Sequence, residues 1–137
     1  MNVAPGVTIG AAARQSGVSA KMIRHYEAIG LLSRAQRTQS GYRLYGMDEV
    51  HSLRFIHRAR SLGFSLEDIR ELLALWHNRR RSSSQVKALA LAHVADLERK
   101  IEEMQSMVRT LSHLASHCHG DHRPDCPILD DLAQANG

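Results

Sequence analysis

A chain of 137 residues holds one domain, or one small domain with an appendage, and its six aromatic side chains suit a helical core packed with Leu, Ile and Ala. The formal net charge of +4 is unevenly split: residues 1–81 carry 13 Lys and Arg against 6 Asp and Glu, whereas residues 82–137 carry 5 against 8. No stretch reaches membrane-spanning length, and the apolar run 9–13 lacks a preceding basic region, so the cytoplasm is the expected compartment and no membrane partner is expected.

In that compartment two cysteines are expected to be ligands or free thiols, not a structural disulfide. The basic front half points to a polyanionic partner, nucleic acid ahead of a membrane, although a merely solvated surface carries the same signature.

In chain order, Thr8 is suited to cap a short helix over 9–16 that Gly17 ends in the left-handed conformation. Ser19 caps a second helix from Ala20 to about Ile29, with Gly30 as terminator. Two short helices around a Gly-containing turn make a helix-turn-helix pattern. Met22, Ile23 and Ile29 can face a core, while Lys21, Arg24 and His25 share one exposed face, with Tyr26 beside them. A major-groove reader needs donors at that end of the helix; an ordinary amphipathic surface helix has the same pattern.

Arg34 and Arg37 lead into Thr38–Tyr45, where Ser40-Gly41 signals a turn between two short strands. The resulting wing presents Tyr42, Arg37 and Arg43, whose hydroxyl and guanidinium groups can hold phosphates. Asp48 is expected to cap a third helix over 49–62, with Val50, Leu53, Ile56 and Ala59 inward and Arg54, His57, Arg58 and Arg60 outward. Ser65-Leu66-Glu67-Asp68 has the pattern of a capping box opening a fourth helix. Its stripe of Leu66, Ile69, Leu72, Leu73 and Trp76 assigns Trp76 to the core.

Residues 78–85 read as a polar linker. Beyond it Ala90, Val94, Leu97, Ile101, Met104, Val108, Leu111 and Ala115 alternate by four and three, a heptad seam. Such a helix extends about 45 Å at ~1.5 Å per residue and cannot bury its seam alone. A homodimer is therefore expected. If the two helices run antiparallel, each tip lands near the other subunit's front module.

The seam stops just before His117–Cys126, a segment that Gly120 and Pro124 prevent from continuing a helix. Folded back, it can bring the thiolates of Cys118 and Cys126 around one soft ion. His113, His117, His119, His122, Asp121 and Asp125 lie close by, and by spacing alone a Cys₂His₂ zinc site is the leading reading of this stretch.

Five motifs, taken together, resemble the MerR family of transcription regulators, specifically its copper-efflux branch, over nearly the whole chain. They are 18–27 (VSAKMIRHYE), 30–32 (GLL), 40–45 (SGYRLY), 59–64 (ARSLGF) and Cys118-x₇-Cys126 followed by Pro127-Ile128. The resemblance implies a mainly α fold: a winged helix-turn-helix DNA-binding domain with a following helix pair over 1–77 and a linker over 78–85. A dimerisation helix over 86–115, paired as an antiparallel coiled coil, and a metal-binding loop with tail over 116–137 would follow.

It further implies that Lys21 and Arg24 contact DNA from the recognition helix, with His25 and Tyr26 close by. Arg37, Tyr42 and Arg43 would grip the backbone from the wing, and Arg60 from the helix pair. Cys118 and Cys126 would bind metal, and Ser83 stands where mercury- and zinc-responsive relatives place a third, cysteine ligand.

Two thiolates without a third suit a linear monovalent ion, Cu(I) or alternatively Ag(I) or Au(I), whereas Zn(II) wants four ligands and ranks behind them. The implied mechanism is activation: a dimer on promoter double-stranded DNA bends and untwists it for RNA polymerase when metal binds. The expected function is thus a Cu(I)-responsive activator of copper-efflux and tolerance promoters, not an enzyme. A zinc- or other divalent-metal-responsive regulator of the same family is the nearest alternative. A thiol redox protein or copper chaperone would make no use of residues 19–60, and a zinc enzyme lacks a general base on a rigid element.

Overall fold

A computed structural model describes residues 6–33, 36–37, 41 and 43–134, omitting the side chains of Gln36 and Arg37. The described residues are mainly helical and divide into two compact units, Met1–Leu89 and Ala90–Gly137.

In the first unit the caps are those the residues favour. Helix α1 (Ile9–Ser16) begins where the Thr8 hydroxyl accepts from the Ala11 amide at 3.3 Å. It ends at Gly17, whose φ of 80° is open to glycine at little cost. Helix α2 (Ala20–Ala28) begins where Ser19 accepts from the Met22 amide at 3.2 Å, and Gly30 closes it with a φ of 76°. The wing is the antiparallel pair β1 (Gln36–Arg37) and β2 (Arg43–Leu44), with Arg37 opposite Arg43. Two backbone bonds of 2.8 Å between Val7 and Tyr45 tie the front of the chain to the end of the wing.

Helix α3 (Met47–Ser61) starts earlier than Asp48 capping predicts. Gly46 is the N-cap and no side chain bonds there; Asp48 and Glu49 lie inside the first turn, where their charge complements the positive end of the helix dipole. Helix α4 (Leu66–His77) opens as predicted, with Ser65 accepting from the Asp68 amide at 3.1 Å.

Helix α1 packs on α2 and α3, and α3 on α4. Val50, Leu53, Ile56 and Ala59 face inward as their spacing predicts, joined by Ile23, Tyr45 and Ile69, all fully buried or nearly so. Burying a Leu or Ile side chain of this kind is worth about 1.5–3 kcal/mol.

Two core assignments fail. Trp76 is 54% exposed, because the buried stripe of α4 stops at Leu73 and Trp76 falls in the last turn. It lies near Phe55, with ring centroids 6.0 Å apart, and carries the Arg81 guanidinium 5.6 Å above its ring. Met22 is also exposed, since Ile23 and Tyr26 occupy the inward face of α2.

Helix α5 (Ser83–Ser116) begins three residues before the predicted Val86, taking in part of the presumed linker. Its 34 residues supply the end of the first unit and most of the second. None of them is buried. Met104 and Val108 on the seam each keep over 60% of their surface exposed, while Asp96, Arg99, Lys100 and Glu103 pair off the seam. After the cysteine loop comes a helix that the heptad reading passes over, α6 (Pro127–Ala133). Pro127 starts it, where a missing N–H costs nothing.

Candidate DNA interface and thiolate loop

The Ser19 cap fixes where α2 begins, and so which side chains reach out of its first turns. Lys21, Arg24 and His25 are exposed there, the arrangement that a recognition helix needs at its N-terminal end. Tyr26 differs: only 5% of its surface remains exposed, and it packs in the core beneath that face. Its bulk is part of the core that supports α2.

Two arginines absent from the predicted set complete this support. Arg70 on α4 donates to the carbonyls of Ile29 at 2.9 Å and Gly30 at 3.3 Å, closing the end of α2. Arg54 on α3 donates through Nε to Gln15 at 2.9 Å, at the end of α1. Each satisfies a helix-end carbonyl that would otherwise lack a partner. Sequence shows that these residues are basic, but not that they span about forty positions to reach another helix.

A second connection joins α2 to the wing. The Tyr45 hydroxyl donates to Glu27, and Arg43 sits 3.6 Å from the other oxygen of the same carboxylate. Burial first, and the adjoining Glu27 carboxylate second, together raise the Tyr45 phenol from 10.0 to about 12. Arg43 is therefore held by an acidic partner, while 38% of its side-chain surface stays open. A guanidinium so placed can contact a phosphate without losing its orientation. Tyr42 and the Arg37 side chain lie outside the described residues. Arg60 is exposed, and its Nη1 donates to the Phe64 carbonyl at 3.1 Å just past the end of α3.

The second unit holds the thiols. The Cys118 amide bonds the Ala115 carbonyl at 3.1 Å, so Cys118 lies in a tight turn just past the end of α5. Cys126 is the N-cap of α6. Both cysteines are free and partly buried. Of the other candidate ligands, Asp121 is engaged: it accepts from the Arg123 amide at 2.9 Å and from Arg123 Nε at 2.8 Å. Among the described residues, no group of three or more His, Cys, Asp or Glu side chains is gathered as a metal site. Ser83 is exposed at the first position of α5.

A buried three-helix support, an exposed basic recognition helix and a two-stranded wing define a winged helix-turn-helix DNA-binding protein. Residues 7–76 match the MerR HTH family regulatory protein model, and residues 50–114 match the model described as MerR, DNA binding. The chain is 64% identical to the HTH-type transcriptional regulator HmrR of Sinorhizobium medicae, covering 96% of this chain and 89% of that one. It is 62% identical to heavy metal-dependent transcription regulator 2 of Rhizobium meliloti, covering 95% and 88%. Identity to the HTH-type transcriptional regulator CueR of Yersinia pestis is 42%, covering 88% and 87%.

Among solved structures, the transcription regulator PbrR691 from Ralstonia metallidurans CH34, in complex with lead(II), superposes with a TM-score of 0.80. That match has 31% identity and covers 93% of this chain and 99% of the other. The chain belongs to the MerR family of helix-turn-helix transcription regulators. Its members are DNA-binding regulators, not enzymes. Among the described residues, no helix is long and apolar enough to cross a membrane.

Proposed function

We propose that this chain is a cytoplasmic, homodimeric, metal-responsive regulator that senses Cu(I), with Ag(I) and Au(I) as chemical equivalents, and activates copper-efflux promoters by distorting their DNA. The observation that carries the metal choice is the ligand inventory. Cys118 and Cys126 are the chain's two cysteines, both are free and partly buried, and the position that opens α5 is Ser83. Two soft thiolates are a matched donor set for a linear d¹⁰ monovalent ion, whereas a tetrahedral divalent ion asks for four ligands.

The relatives support metal responsiveness in general: one is named heavy metal-dependent, and PbrR691 was solved with lead(II). A divalent-metal sensor is accordingly the second reading, and what ranks it behind is the donor set: two cysteines, with Ser83 at the position that opens α5.

On this reading Lys21, Arg24 and His25 meet the major groove, and Arg37, Tyr42, Arg43 and Arg60 hold phosphates. The α5 seams of two copies pair antiparallel. Metal on the thiolates then biases a two-state dimer whose DNA-bound form presents the promoter to RNA polymerase. A coupling of a few kcal/mol is enough to shift promoter geometry.

The test is titration of the reduced protein, bound to a promoter fragment, with Cu⁺ and Zn²⁺ under a thiol competitor. Stoichiometry and DNA distortion are read together. The expected result is distortion driven by Cu⁺ and lost in Cys118→Ser, with operator affinity nearly unchanged. A response to Zn²⁺ without one to Cu⁺ overturns the metal assignment.

A further inference from the structure

We propose that His113 and His117, at the end of α5, form a second metal site for a borderline divalent cation such as Zn²⁺ or Ni²⁺, built without either cysteine. His113 lies in the last turn of α5 and His117 is the first residue after it, four positions on, so the two side chains lie close together. Both are exposed, and their ring centroids are 4.3 Å apart, so two imidazoles reach one ion while water fills its remaining positions, an open site unlike a closed four-ligand one.

The hydrogen bonding selects the nitrogen that would bind. His117 Nδ1 lies 2.8 Å from the His113 carbonyl oxygen and 3.2 Å from Ser116 Oγ. A carbonyl only accepts, so Nδ1 carries the proton in that bond and Nε2 keeps its lone pair. An imidazole anchored in this way through its second nitrogen is the tautomer and orientation that metal-binding histidines use. Ser116 Oγ donates to the same His113 carbonyl at 2.7 Å, fixing the turn that the two rings share.

The location favours a cation independently of the rings. The last turn of α5 ends in carbonyls that carry the negative end of the helix dipole. Imidazole donors suit Zn²⁺, Ni²⁺ and Cu²⁺, whereas the thiolate pair suits a monovalent soft ion. The two sites therefore differ in both charge and hardness of the ion they take. Because His117 precedes Cys118 directly, an ion held by the two rings ties down the turn from which the cysteine loop departs.

The test removes the thiolates so that its outcome is separate from the Cu(I) reading. Full-length Cys118→Ser/Cys126→Ser protein is titrated with Ni²⁺ and with Zn²⁺ by calorimetry, while histidine ring resonances are followed by NMR. One ion per protomer is expected, shifting the rings of His113 and His117. His113→Ala and His117→Ala should each weaken binding about tenfold or more, because the second ring then no longer acts at the high effective concentration its tether gives. Helicity by circular dichroism checks that these surface variants stay folded. Absence of divalent binding overturns the proposal. So does binding that survives both His113→Ala and His117→Ala, or binding that His119→Ala or His122→Ala abolishes.

Discussion

The two units solve the problem of apolar surface in opposite ways. In Met1–Leu89, Ile23, Tyr45, Leu53, Ile56 and Ile69 are fully covered by helices of the same chain. In Ala90–Gly137, α5 repeats apolar residues over many turns and yet buries none of them. The first pattern has a 3.6-residue stripe wide enough for several neighbours. The second is a narrow seam of period 3.5, which fits one partner helix of like kind. A core that closes on itself gives a rigid platform for DNA. An open seam leaves its apolar residues to be covered, on the proposed reading, by a second copy.

The strongest way to break this contrast is to charge the seam. Ile101→Asp combined with Val108→Asp should leave a monomer at concentrations where the unaltered chain sediments as a dimer, with operator binding lost. A dimer that survives both charges would remove the seam from the interface.

A smaller but still large effect is expected in the closed core. Leu53→Ala should destabilise the folded protein by about 2–5 kcal/mol, since it removes a fully buried side chain and leaves a cavity. Denaturant unfolding measures it, and a loss below ~1 kcal/mol would mean that the first unit is not packed as described.

The finest adjustment concerns the tie between recognition helix and wing. Tyr45 titrates near 12 in the folded chain, against 10.0 when unfolded. The folded state thus holds the phenolic proton more tightly, and stability decreases as pH rises where the unfolded chain binds fewer protons. This contribution is fully present below pH 10 and is lost as pH climbs through about 12. Ultraviolet titration should show one tyrosine ionising late, and Tyr45→Phe should remove that late step. The absence of a late step that Tyr45→Phe removes would show that the Glu27 contact is not maintained.

Local signals carried far in this chain. Thr8, Ser19 and Ser65 mark three helix starts, and the hydroxyl of each bonds an amide three residues on. Information of that range is present in a short peptide, so it can be read without the fold. The failures share the opposite property. Trp76 has the right spacing for the core, but whether a turn is covered depends on what lies opposite it. Tyr26 directly follows the exposed Arg24 and His25 and yet is buried, because which face of α2 is covered depends on the helix packed against it. Helix α6 was missed because its seven residues are too few for apolar periodicity to emerge, although Pro127 was a legible start.

The sequence alone therefore determined where α1, α2 and α4 begin, which residues form the heptad seam, and that two cysteines flank a loop that cannot be helical. These follow from interactions over three or four residues and from composition. Only the tertiary structure decided that Glu27 joins Tyr45 to Arg43 and that Arg70 reaches 41 positions back to close the recognition helix. Those pairings depend on which charged groups the folded backbone brings within hydrogen-bond reach, and a basic residue in a sequence has many possible partners until folding selects one.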